Sequence, residues 1–245
     1  MPYPTTYPAE ATDQDAVDLA GHPSPRLTGP REVALRLAEL DERYIRDAFV
    51  PSGELAARRH EGVDAVRADI AAGRLPQPAY RLDDGTDMVP PDYFALIDAA
   101  GSVDALPDWF ADRYRAAASR LGLPADEAAV DEQWQDYLSG GYLVCLNNAT
   151  PETIAQKAHH ITVLDSLLSR PQPDDVDWMG RLRTATDGLA AIERTGAILD
   201  PPRWGGPMSP QWYGSYLRTQ YPQAFVEPPS AANPEVSDTD TDLDP

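Results

Sequence analysis

Apolar positions recur three and four residues apart through the middle of the chain, the spacing that lines one face of an α-helix. Val33, Leu37, Leu40, Tyr44 and Ala48 open the series, and Pro51 closes the helix they predict. Leu106, Trp109, Phe110, Tyr114, Ala117 and Leu121 mark a second helix, and Val130, Trp134, Tyr137 and Leu138 a third. Ile154, Ala158, Ile161, Leu164 and Leu168 form a fourth stripe, and Trp178, Leu182, Ala185, Leu189 and Ile192 a fifth. The punctuation agrees with the pattern. Thr150 before Pro151 reads as an N-cap with proline at the first helical position, Ser209 before Pro210 repeats it, and "SRPQPDD" separates two helices. Only "YRLDDGTDMV" reads as a strand pair, with Asp84 and Gly85 at its turn. The expected class is mostly α with one small β-hairpin.

Composition narrows the setting. The 245 residues suffice for one or two domains with a sizeable core, and 42% hydrophobic with 24% charged residues is ordinary for a globular chain. No run approaches the ~20 apolar residues of a membrane span, and "MPYPTTYPAEATDQD" lacks the charged flank and apolar run of a secretory signal, so the expected compartment is the cytoplasm. The single Cys cannot close an internal disulfide, which suits that compartment. A net charge of -20 repels phosphate backbones and anionic lipid at a distance, which counts against nucleic acid and membranes as partners. The basic residues are arginines apart from Lys157, a bias toward GC-rich codons of the kind found in actinobacterial genomes. Residues 1–30 and the acidic stretch 223–245 lack any lasting apolar period and are expected to be disordered tails. Between them, residues 31–100 and 101–222 read as two units.

The first of these units holds a resemblance. The stretch 51–98, with Leu55 and Ala56 in one short helix, Val63 and Val66 in the next, Arg67 six residues before Gly73, and then "GRLP" and the hairpin, resembles a MerR-type winged helix-turn-helix. That resemblance implies a second helix that enters the major groove. The charges oppose it: nine acids stand against five arginines in the segment, and Asp64 and Asp69 lie on the helix meant to face DNA. The expectation is therefore a winged-helix-like module for protein contact, followed by a helical bundle. A wider resemblance runs through "YIRDAFVP", "GRLPQPAY", "DGTDMVPPDYF", "GGYLVCLNNATPETIAQK" and "WGGPMS". It is similar to an actinobacterial family of unknown function whose members are labelled natural product biosynthesis proteins. This implies a place in a secondary-metabolite pathway and supplies no mechanism.

Candidate chemistry concentrates in "GYLVCLNNATPETIAQKAHH", residues 141–160, which holds the chain's Cys, its Lys and two adjacent His. With each residue advancing about 100°, Lys157 falls near the centre of the fourth apolar arc. An ammonium there reaches out along a groove to pair with a carboxylate, or is desolvated, which lowers its pKa and frees an amine as base or nucleophile. Asp165 lies ~12 Å along the helix, too far to be the partner, so an opposing carboxylate must come from another helix. His160, three residues on, shares the edge of that pocket. His159 points away to solvent, and the two cannot hold one metal from a regular helix. Cys145 in "YLVCL" reads as a buried, inert thiol, and Tyr142 offers a phenol beside it. Metal, serine-hydrolase, nucleotide and redox fingerprints are absent.

A second concentration lies in "DPPRWGGPMSPQWYGSYLRTQYP", where Arg203, Trp204, Trp212 and Tyr216 stack on a flat or anionic ligand, or clamp a terminal helix onto the core. The functional expectation is a protein that binds, and possesses the groups to transform, a small metabolite in a helical pocket. Lys157, His160 and Tyr142 are its catalytic candidates, Arg203, Trp204, Trp212 and Tyr216 its substrate contacts, and no metal is involved. The alternative is a regulator or protein–protein adaptor acting through the winged module.

Overall fold

A computed structural model describes residues 30–203 and 208–226. Within these residues the chain is mostly helical with one small sheet, as the period along the sequence predicts. The order is α1 (Pro30–Ala48), β1 (Val50–Pro51), α2 (Ser52–Arg58), α3 (Val63–Ala71), β2 (Tyr80–Arg81), β3 (Asp87–Val89), α4 (Ala95–Ala100), α5 (Leu106–Arg120) and α6 (Glu127–Leu138). It continues with α7 (Gly141–Cys145), α8 (Pro151–Leu168), α9 (Val176–Ile192), α10 (Asp200–Arg203), a π-helix (Pro210–Tyr216), α11 (Leu217–Gln220) and a 3₁₀ turn (Pro222–Phe225). None of the described helices is long and apolar enough to cross a membrane. The expected tails fall outside the described residues, except Pro30, which starts α1, and residues 223–226, of which Ala224 is fully buried.

The sheet has the expected hairpin and one strand more. β2 and β3 pair antiparallel, Tyr80 opposite Met88, and Gly85 at φ 82° makes the turn that a side chain would strain. β1 adds to the other side of β3, Val50 opposite Val89 and Pro51 opposite Met88. Pro51 therefore both stops α1 and sits in an edge strand, where a residue without an N–H fits a sheet.

Two apolar clusters lie end to end along α8. The larger gathers Ile45, Phe49, Met88, Phe110, Tyr137, Leu146 and Ile154, joining the sheet to α5, α6 and the start of α8. The smaller gathers Leu164, Leu167, Trp178, Leu182, Leu189, Tyr213 and Leu217, joining the end of α8 to α9 and the π-helix. Thr150 starts α8 as the sequence predicts, with Thr153 closing a reciprocal capping box. Ser209 does not repeat the pattern: it has helical backbone angles and no capping bond, because its hydroxyl is engaged elsewhere.

The contact between α8 and α9 depends on a small residue. A Cβ on Gly188 would collide with Cε1 and Nε2 of His160, so the imidazole packs directly on the α9 backbone. Gly180, on the same helix, has open space. Gly180→Ala should stabilise the protein by up to about 1 kcal/mol through helix propensity, whereas Gly188→Ala should destabilise it by about 1–3 kcal/mol through overpacking. Urea unfolding of the pair checks this, and equal effects of the two would refute the close packing.

Candidate functional site

Lys157 lies on α8 between Ala155 of the first cluster and Leu164 of the second, and only 9% of it is exposed. An ammonium in such a seam must find acceptors for its three protons. It finds three. Nζ donates to Sγ of Cys145 at 3.3 Å, to Oγ of Ser209 at 2.6 Å and to Oε1 of Glu193. Ser209 in turn donates to the same Glu193 oxygen, which closes a ring of lysine, serine and carboxylate. Glu193 caps the C-terminal end of α9 and is itself buried. A short backbone exchange explains why it meets Cys145: Leu146 bridges Glu193, Asn147 N donates to Ile192 O, and Arg194 N donates to Cys145 O.

This geometry decides between the two fates of a lysine on an apolar face. Burial alone pushes the ammonium down, but the neighbouring thiol and carboxylate outweigh it and raise the amine above the ordinary lysine value. Burial raises the Cys145 thiol, with Lys157 opposing. Lys157 is thus a charged residue with every donor engaged, and Cys145 a neutral thiol. The carboxylate that sequence reasoning required from another helix is Glu193.

Beside the ring lies a cavity of about 220 Å³ between α9 and the π-helix, lined by Thr186, Leu189, Ala190, Glu193, Arg194, Pro210 and Gly214 among others. The Thr186 hydroxyl, buried in this wall, has no hydrogen-bond partner among the described residues. Buried polar groups are seldom left so, and π-helical turns occur disproportionately at functional sites. Arg194 is not free to meet a ligand: its guanidinium donates to Leu146 O and Asn147 O and lies over the Phe49 ring.

The other expected residues disperse. Tyr142, half-buried on α7, donates to Gln133 Oε1 at 2.6 Å, and burial raises its phenol far above the ordinary range. His160 is half-buried against Gly188, and burial followed by the neighbouring His159 lowers its pKa. His159 does not point to solvent: it is half-buried, with Nδ1 3.2 Å from Leu121 O at the end of α5. Arg203 is held by Asp41 at 2.8 Å and Asp200 at 2.6 Å, over the Tyr80 ring, and not among the C-terminal aromatics. Trp212 and Tyr216 stack on each other, centroids 4.7 Å apart, one turn along the π-helix. Trp204 lies outside the described residues. Among the described residues no three His, Cys, Asp or Glu side chains are grouped to hold a metal ion.

Glu193, Ser209 and Thr186 are the site residues that sequence reasoning missed. Glu193 follows the last residue of the fifth apolar stripe and Ser209 reads as a cap, so neither carries a local signal of its role. Residues 106–222, α5 to the 3₁₀ turn, match a family described as a family of unknown function, DUF6058. The matched stretch contains the whole lysine ring and the cavity. Comparison with curated proteins and with solved structures finds no match.

Proposed function

We propose that the protein binds a small molecule in the cavity between α9 and the π-helix, as a cytoplasmic component of a secondary-metabolite pathway. The observation that carries the reading is Glu193, which lines the cavity on one side and belongs to the closed Lys157–Ser209 ring on the other. A buried ion pair held in place by a serine is a rigid polar wall, and a wall of this kind orients a ligand without paying to reorganise. The pathway assignment rests on the resemblance carried by the motifs between residues 40 and 222. The cavity is smaller than the roughly 300–1,000 Å³ of drug-sized sites, which favours a compact ligand. Since the lysine and glutamate neutralise each other, an uncharged ligand suits the wall best. The fully engaged ammonium does not support covalent catalysis through Lys157. His160 and Tyr142, packed or bonded elsewhere, do not line the cavity.

The test uses two substitutions that fill the cavity from opposite walls. Ala190 is exposed on α9, and a Cβ on Gly214 meets open space, so Ala190→Trp and Gly214→Phe occupy the cavity without entering the core. A library of neutral metabolite-like fragments should contain compounds that raise the unfolding temperature of the wild type, and both variants should lose that response while keeping the ligand-free unfolding temperature. No stabilising fragment, or stabilisation that survives both variants, would remove the cavity from the function.

A further inference from the structure

The ring of Lys157, Ser209 and Glu193 is also a reactive arrangement of groups. A serine hydroxyl is a weak nucleophile until a base within hydrogen-bond reach takes its proton and a third group fixes that base. Ser209 meets both conditions. Its hydroxyl donates to Oε1 of Glu193, and Nζ of Lys157 donates to that same oxygen. The third side of the ring bears on the reacting atom itself, since Nζ also donates to Oγ of Ser209 at 2.6 Å. An alkoxide forming at Oγ develops beside a fixed ammonium, where burial strengthens the attraction. Lys157 is 9% exposed and Glu193 8%, so water competes little for either.

Position favours the serine over its neighbours. Ser209 is half-buried, while Lys157, Glu193 and Cys145 are buried. Its bonded partner Glu193 and its chain neighbour Pro210 both line the cavity, so Ser209 lies at the seam between ring and cavity. The other two nucleophiles at this place are less suited. Lys157 is held as an ammonium by the carboxylate and thiol beside it, and burial raises the Cys145 thiol.

We propose that Ser209 is an acyl-accepting nucleophile, with Glu193 as its base and Lys157 as the cation that stabilises the alkoxide, acting on a compact uncharged ester or thioester. The inference rests on the binding reading above for the place and size of the substrate, and adds the reaction. Oγ bonds to the acyl carbon as its proton passes to Glu193, and the alcohol or thiol leaves with that proton. Water then releases the acid from the acyl-serine through the same carboxylate, which restores the hydroxyl. A carboxylate is a weaker base than the imidazole of a serine–histidine pair, so the acyl group must be an activated one, a thioester or the ester of an acidic alcohol.

Diisopropyl fluorophosphate, a compact neutral reagent that phosphorylates activated serines with loss of fluoride, tests the nucleophile in the full chain. It should attach one diisopropylphosphoryl group, placed on Ser209 by tandem mass spectrometry, and Ser209→Ala should lose it. Lys157→Met/Glu193→Gln leaves Ser209 an amide oxygen to bond but no base, so its labelling should slow by about 100-fold or more. p-Nitrophenyl acetate should acetylate the same serine. The labelled position in the wild type is read without any variant, so a variant that fails to fold leaves the test standing. No adduct, an adduct on another residue, or equal labelling of the double variant would overturn the proposal. Stabilising fragments together with an unlabelled Ser209 would overturn the reaction and leave the binding reading intact. Base-dependent labelling of Ser209 where no fragment stabilises the protein would uphold the nucleophile and remove the binding reading alone.

Discussion

Replacing Lys157 with methionine is expected to destabilise the protein by about 3–5 kcal/mol, the usual cost of leaving one member of a buried ion pair uncompensated. Methionine fills nearly the same volume, so the loss is electrostatic and not a cavity. The remaining carboxylate of Glu193 is buried and keeps only the Ser209 hydroxyl of its two ring partners. Lys157→Met/Glu193→Gln should recover most of the loss, since both charges are then gone and Ser209 still has an amide oxygen to bond. Urea titration of the four proteins gives the coupling, provided the slope is unchanged. The raised amine fixes the pH window. A cation favoured by the fold contributes fully below its unfolded pKa, so at pH 7 the comparison reads the whole effect. The contribution is lost only as pH rises above 10.5 and through the folded value. A single-mutant loss below about 1 kcal/mol would mean that water, and not Glu193, solvates the amine.

The helices were legible because most bury a face through repeating positions. In the fifth stripe Trp178, Leu182, Ala185 and Leu189 are buried, and in the second Leu106, Phe110, Tyr114 and Ala117. Caps were legible where the side chain has no competing partner, as at Thr150. They failed at Ser209, where the hydroxyl serves a residue sixteen positions away and the next turn widens into a π-helix. β1 was out of reach for another reason: two residues are too few to show alternation, and Val50 and Pro51 become a strand only because β3 is beside them. The "GYLVC" run is too short and too uniformly apolar to show either period, and it forms α7.

The candidate site was legible to the extent that it is a local anomaly. A lysine at the centre of an apolar arc demands a carboxylate from elsewhere, and that demand follows from one helix alone. Which carboxylate answers it depends on the bridge between Leu146 and Glu193, a pairing of residues 47 apart in a chain with 40 acids to choose from. The aromatic cluster misled for the opposite reason. Arg203 and Trp212 are nine positions apart, yet Arg203 turns to α1 and β2 while Trp212 joins the second cluster. Proximity in sequence carried no information once the chain passed from one cluster to the other.

Asp200→Ala is expected to cost about 3–5 kcal/mol, comparable to the loss at Lys157, although Asp200 touches no part of the proposed cavity. Asp200 is 0% exposed and accepts from the Tyr80 hydroxyl at 2.8 Å, the Ala197 amide at 2.7 Å and Arg203 at 2.6 Å. Burial, then the charge and hydrogen bond of Asp200, raise the Tyr80 phenol far above its ordinary value, so it remains a donor at any working pH. Removing the carboxylate orphans a buried phenol and a backbone amide together, and leaves Arg203 with Asp41 alone. Asp200→Asn keeps one carbonyl acceptor and should lose less, which separates lost charge from lost hydrogen bonds. Asp41 also accepts from the Leu199 amide, so the segment from Arg194 to Arg203 is fastened to α1 at two carboxylate contacts and to β2 at a third. The other end of that segment carries Arg194, which holds the carbonyls of Leu146 and Asn147 next to Glu193. Loosening Asp200 should therefore speed amide exchange through residues 194–203, and the effect should fade by the middle of α9. A variant within about 0.5 kcal/mol of the wild type, with exchange in that segment unchanged, would show that the strap is held by something other than its buried carboxylates.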